Sequence, residues 1–145
     1  MSGARLDELY RGSAAGAIPV GDASGTALVG TGTWAGRQIA WMVRELFWQG
    51  KIFDPTTGML VNKLTPFGIH AVRANVYKGE SWMDGEESII LDYSRSSRIA
   101  WFVRDEIREI APGIYLGQAY VGKIRFIRFA LRFHATALNL TRDVA

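Results

Sequence analysis

Apolar and aromatic residues in the second half of the chain gather into short runs, 69–78, 88–94, 114–121 and 125–134, separated by breaks containing Gly, Pro or Asp. Runs of this length with turn signals between them predict an antiparallel strand meander. Alternation in 69–78 puts His70, Val72, Ala74 and Val76 on one face and Arg73, Asn75 and Tyr77 on the other. In the last run, Ile127, Phe129, Leu131 and Phe133 share a face, with Arg128 and Arg132 expected on the solvent side. Ionisable residues keep interrupting otherwise apolar runs, so the sheet is expected to wrap a cavity or half-buried core that holds a few polar groups.

Other periodicities fill in the first half. Residues 4–11 read as a short helix, with Leu6 and Leu9/Tyr10 at helical spacing, and the Gly/Ala-rich stretch 12–22 reads as a loop. The main helix is predicted over 33–49, where Trp34, Ile39, Met42, Val43, Leu46 and Phe47 recur at three- and four-residue intervals before a stop at Gly50. Residues 51–54 and 59–64, joined by Pro55-Thr56-Thr57-Gly58, read as a hairpin. Further turns are expected at Pro66 to Gly68, Asp84-Gly85 and Pro112-Gly113. The stretch 98–110 fits both periods, since Ile99, Phe102/Val103, Ile107 and Ile110 suit a helix while Val103, Asp105 and Ile107 alternate as in a strand. A short helix over 96–102 followed by a strand over 104–110 reconciles them.

Length and composition narrow the class. A chain of 145 residues suits one domain, 1–145, able to bury a sizeable core. Five Trp, five Tyr and seven Phe within 48% hydrophobic content argue against disorder and for aromatic-lined strands. The absence of cysteine excludes disulfides, thiolate metal sites and a cysteine nucleophile. The start lacks an apolar signal-peptide region and no apolar stretch is long enough to span a bilayer, so a cytoplasmic location and no membrane span are expected. A net charge of +3 is spread among acidic neighbours and no nucleic-acid-binding module is recognisable, so no nucleic-acid partner is expected.

The candidate chemistry is sparse. His70 shares the apolar face of its strand and could act as a base near neutral pH, whereas a hydrogen-bonded core histidine is the plainer reading. His134 stands at a strand end and reads as surface. Asp92, inside Ile89-Ile90-Leu91-Asp92-Tyr93, needs a partner if buried. It is a candidate general acid, or the residue that orients His70 or a tyrosine such as Tyr93; alternatively it faces outward and pairs with Arg73 or Arg128. Asp105, Glu106 and Glu109, interleaved with Arg104 and Arg108, could divide acid and base roles, but their mixed charges read first as a solvated face. Trp82, Trp101, Tyr115, Tyr120 and Phe129 are candidates to line an apolar ligand pocket, against the bland alternative that they are simply core. With two histidines and no cysteine, no metal or other cofactor is expected. The glycines of Gly30 to Gly36 lack the spacing of a phosphate-binding loop.

The stretch Gly32-Thr33-Trp34-Ala35-Gly36 resembles the GxW-type signature of lipocalin-like and nitrobindin-like barrels. Trp48 to Asp54, Gly58-Met59-Leu60-Val61-Asn62 and Tyr115-Leu116-Gly117 are similar to segments of a bacterial family of uncharacterised GXWXG-type proteins. That resemblance implies a lipocalin-like small barrel and carries over no catalytic residue. The fold expected is therefore α+β and β-rich, an antiparallel meander curled into a barrel or half-barrel around an apolar cavity, with the 33–49 helix packed on it or capping it. Two activities fit such a container. One is a cofactor-independent lyase, isomerase or cyclase using His70, Asp92 and Tyr93 for acid/base work on a lipophilic small molecule; the other is a non-catalytic carrier or sensor of a hydrophobic ligand. An interaction module whose interior is filled by its own aromatics is the third reading, and a homodimer remains open.

Overall fold

The computed structural model describes residues 2–30, 48–54, 58–64, 69–95 and 102–133. Among them the chain runs through a short helix, α1 (Gly3–Arg11), and then eight strands: β1 (Gly21–Gly30), β2 (Trp48–Asp54), β3 (Met59–Leu64), β4 (Ile69–Glu80), β5 (Glu87–Asp92), β6 (Val103–Ala111), β7 (Ile114–Val121) and β8 (Ile124–Phe133). Each strand pairs antiparallel with the next, and β1 pairs with β8 from Ala23↔Phe133 to Gly30↔Ile127, so the meander closes into a barrel with no free edge.

Closure gives the wall two faces, and side-chain alternation sorts residues between them. The interior collects Phe53, Ala74, Ile89, Leu91, Tyr93, Ile107, Tyr115, Ala119, Ile127, Phe129 and Leu131. Outside, Leu6 and Tyr10 of α1 lie with Leu116 of β7. The helix starts at Ser2, whose side chain accepts from the Arg5 amide at 3.3 Å, and stops at Gly12. Strand directions place the connections after β1, β3, β5 and β7 at one end of the barrel, called the upper end below. The segment entering β1 and the connections after β2 and β6 begin at the other.

Six strand predictions match closely: both arms of the hairpin 51–64, the run 114–121 with its bounds unchanged, and 69–78, 88–94 and 125–134 within two residues at each end. The helix predicted over 33–49 lies outside the described residues from 33 to 47, and its last two positions are corrected. Trp48 and Gln49 belong to β2, and Gly50, expected to stop a helix, sits inside that strand. Register shifts between Trp48 and Gly50, a place where a strand accepts glycine readily. Among the described residues the helix that packs on the sheet is α1. Strand β1 went unpredicted because Gly21-Asp22-Ala23-Ser24-Gly25 has little strand propensity, and pairing on both sides supplies what the local sequence lacks. In the ambiguous stretch, β6 confirms the strand half, while the helix expected over 96–102 falls outside the described residues except at Phe102, which lies in a turn.

Candidate functional site

Strand β6 carries chemistry on both faces of the wall. Its odd-numbered positions, Val103, Asp105, Ile107 and Glu109, face the interior, and its even-numbered ones, Arg104, Glu106 and Arg108, face outward. The interior pair nearer the upper end is Tyr93 and Asp105: the Tyr93 hydroxyl donates to Asp105 Oδ2 at 3.0 Å with both residues buried. Asp105 stands in the ladder between Leu91 and Ala119, so this carboxylate has apolar walls on either side. A carboxylate there is tolerable only with hydrogen bonds, and Tyr93 supplies one.

A second pair lies two steps down the same face, about 13 Å along the strand at 3.3 Å per residue. Here the Tyr115 hydroxyl faces both the backbone oxygen of Ala17, at 2.7 Å, and Glu109 Oε2. Burial first, and then the neighbouring Glu109 carboxylate, push the Tyr115 phenol well above its ordinary range. Tyr115 is thus a fixed donor and not a proton source near neutral pH. The segment before β1 seals this lower end. Ala15 is buried in the core cluster, its carbonyl accepts from the Glu109 amide at 3.0 Å, and Gly16, at φ +78°, presses so close to Glu109 that a Cβ would sit 2.5 Å from the Glu109 Cβ. Between the two pairs the ring of Phe129 lies over Gly117 against Ile107; a Cβ on Gly117 would meet both at 2.6–2.7 Å. The lower pair is therefore a latch, and among the described residues the Tyr93–Asp105 pair is the polar feature on the other side of this aromatic layer.

Outside the wall, α1 and the turn over 81–86 cover a denser polar cluster. Arg108, 1% exposed, reaches Asp84 Oδ1 and Oδ2 at 2.7 Å each, the carbonyls of Tyr10, Glu86 and Glu87, and Ser88 Oγ, so all its guanidinium N–H groups are engaged. Glu106, fully buried, accepts from Ser81 Oγ at 2.6 Å, the Trp82 amide at 2.7 Å, Arg104 and Gln118. Asp7 of α1 takes paired bonds from Arg125 (2.9 and 3.1 Å) and Arg128 (2.8 and 2.9 Å). Burial opposes ionisation of Asp7, but the two arginines outweigh it and hold the carboxyl below its usual range. Asp84 is lowered chiefly by its bonds to Arg108. These charges overturn two expectations. The Asp105-Glu106-Ile107-Arg108-Glu109 run is not a solvated face, and Arg128 is not solvent-facing, because α1 and the 81–86 turn cover the outer wall; Arg132, beyond that cover, is exposed.

The sequence-predicted site residues divide between these faces. Tyr93, Tyr115 and Phe129 meet in the interior. Asp92 points the other way from Tyr93, as consecutive strand residues must, and is half-buried on the outer side, accepting from the Tyr77 hydroxyl at 3.0 Å and the Ser94 amide at 2.9 Å. Burial raises its pKa, and the bonds from Ser94 and Tyr77 more than reverse this, leaving it lowered. Trp82 is exposed on the 81–86 turn, edge-on to Tyr120 at 5.2 Å and under Arg104 at 4.2 Å, so Trp82 and Tyr120 form an outer-wall cluster. Burial, and then Glu106, push the Tyr120 phenol up to about 12. His70 belongs to β4, with a side chain outside the described residues; Trp101 and His134 also lie outside them. Asp105 as the partner of Tyr93 was missed, although the alternation Val103, Asp105, Ile107 was its signal.

Among the described residues, fold and site define a closed antiparallel barrel with a largely apolar interior, covered at one end by the 12–20 segment and carrying a buried tyrosine–carboxylate pair toward the other. No protein-family model matches the chain, and no curated protein matches it. A crystal structure of a protein from Thermomonospora curvata is similar over 93% of this chain and 89% of that one, with a TM-score of 0.65 at 17% identity, a likeness of fold alone. No helix among the described residues is long and apolar enough to cross a membrane.

Proposed function

We propose that the barrel binds a lipophilic small molecule in the upper half of its interior, with Tyr93 and Asp105 as the polar group that orients it. The observation carrying this reading is that pair, one buried hydrogen-bonded carboxylate set among Leu91, Ile107, Ala119 and Ile127. Ligand sites of this kind combine an apolar lining with a few convergent polar atoms. The likeness of Trp48 to Asp54 and Gly58 to Asn62 to the GXWXG-type segments implies a lipocalin-like small barrel.

Of the two activities such a site allows, a carrier or sensor fits the geometry better. Asp92 and Tyr93, two of the three residues expected to share acid/base work, face opposite sides of the wall, and the raised phenols of Tyr115 and Tyr120 are donors and not acids near pH 7. Catalysis remains the second reading because Tyr93 and Asp105 are in hydrogen-bond contact at 3.0 Å, a tyrosine–carboxylate pair across which a proton can pass.

Native mass spectrometry of the protein purified from its host, followed by denaturing extraction, tests the proposal. A carrier yields one intact lipophilic molecule per chain, with weaker retention in Asp105→Asn. An enzyme would convert the extracted molecule on incubation and stop doing so in His70→Ala. A chain that never carries or takes up an apolar molecule sinks both.

A further inference from the structure

Two connections at the upper end present apolar side chains to solvent as one tip. Phe102 is 43% exposed, Val121 36% and Ile124 76%, the last being the most exposed large apolar residue among those described. They are neighbours in the ladder: Val121 pairs with both Val103 and Ile124, and the Gly122 amide donates to the Phe102 carbonyl at 3.0 Å. The turn between β7 and β8 has Gly122 at φ +61° with Lys123 beside it, so Ile124 is held outward on a short paired hairpin. Nothing in the turn demands an apolar residue there; a polar side chain would satisfy the same backbone.

Basic residues accompany these apolar tips. Lys123 is exposed at the tip, and Arg95, also exposed, follows β5 at the same end. Arg104 and Arg125 stand one step behind, engaged by Glu106 and Asp7. At the other end exposed Ile18 and Val20 precede Asp22, and exposed Ile114 is the ladder partner of exposed Arg132.

We propose that the rim of Phe102, Val121 and Ile124, with Lys123 and Arg95, seats the barrel on an anionic lipid surface, apolar tips in the acyl boundary and cations among the headgroups. Interfacial binding combines these two ingredients, and each basic residue near an anionic leaflet adds to it. The proposal extends the interior-ligand reading, since it gives a lipophilic ligand a source at the end of the barrel that the 12–20 segment does not close.

Co-sedimentation of the full chain with vesicles of mixed phosphatidylglycerol and phosphatidylcholine, and with phosphatidylcholine alone, tests it. The wild type should partition onto the anionic vesicles and much less onto neutral ones. Ile124→Asp should reduce partitioning about tenfold or more and Lys123→Glu severalfold, while Val20→Asp at the sealed end changes nothing. Circular dichroism of each variant separates these effects from misfolding, and Ile124→Ser serves if Ile124→Asp fails to fold. No vesicle binding, or equal losses from Val20→Asp and Ile124→Asp, would overturn the proposal. So would a wild-type dimer that Ile124→Asp turns into a monomer, because the rim would then be covered by a second copy. Vesicle binding by a chain that never loads an apolar molecule would keep the surface and remove the interior reading; loading without vesicle binding would do the reverse.

Discussion

Among the described residues the outer wall under α1 is more heavily charged than the barrel interior, yet the interior is where a ligand site is proposed. Beneath the helix and the 81–86 turn, Asp7, Asp84, Glu106, Arg108, Arg125 and Arg128 are buried or nearly so, and each meets an opposite charge. Inside, the described charged groups are Asp105 and Glu109, each hydrogen-bonded to a tyrosine. Among the described residues no buried side-chain polar atom on either face lacks a partner. The contrast shows why density of buried charge is a poor guide to a site. Arg108 has no N–H left for anything else, and such saturation marks a device that fixes the helix and the turn on the wall.

The largest expected effect comes from breaking the outer cluster. Arg108→Met removes the shared partner of Asp84, Ser88 and three backbone carbonyls, and should cost about 3–5 kcal/mol in urea denaturation, the range for taking one member from a buried ion pair. If the outer cluster is structural, a variant that still folds should keep the apolar-ligand affinity of the wild type. Next is the aromatic layer inside. Gly117→Val drives a side chain into Phe129 and Ile107 and should cost roughly 1–3 kcal/mol or more, with weaker ligand uptake as well.

The helix latch comes third, and pH reads it. Asp7 and Asp84 have folded-state pKa values below the ordinary aspartate value of 3.8, so the stability they contribute is fully present above that value and lost as pH falls through their lowered folded values. Acid unfolding should therefore begin below about pH 4. Asp7→Asn should flatten that acid limb while costing about 1–2 kcal/mol at pH 7, measured by denaturation at several pH values. The smallest effect on stability is expected from Tyr93→Phe, about 1 kcal/mol from one lost hydrogen bond. Its larger consequence should be a change in ligand affinity, which Arg108→Met lacks.

Legibility in the sequence followed the same division. Strands with strong alternation and Gly- or Pro-marked turns, such as β3, β7 and β8, could be read almost to their ends, because burial of one face imposes a period of two. Strand β1 was illegible since its glycines and small residues are held by β2 and β8, a long-range effect no local window contains. Tyr93, Tyr115 and Phe129 were identifiable as site candidates because alternation is local. That Trp82 and Tyr120 belong outside, and that Arg128 and Glu106 are covered, depended on α1 and the 81–86 turn folding over the wall, through contacts up to 121 positions apart in the chain. Pairing of Asp105 with Tyr93 needed only that 103–107 be taken as a strand across a short connection.

The central claim, that the upper interior of the barrel and not its charged outer wall takes the ligand, is tested most directly by titrating the lipophilic dye Nile red into the wild type and into Ala119→Trp, which puts a large side chain at the ladder partner of Asp105. The account predicts saturable one-to-one brightening with the wild type and its loss in a folded Ala119→Trp variant. Undiminished dye binding by that variant would contradict it.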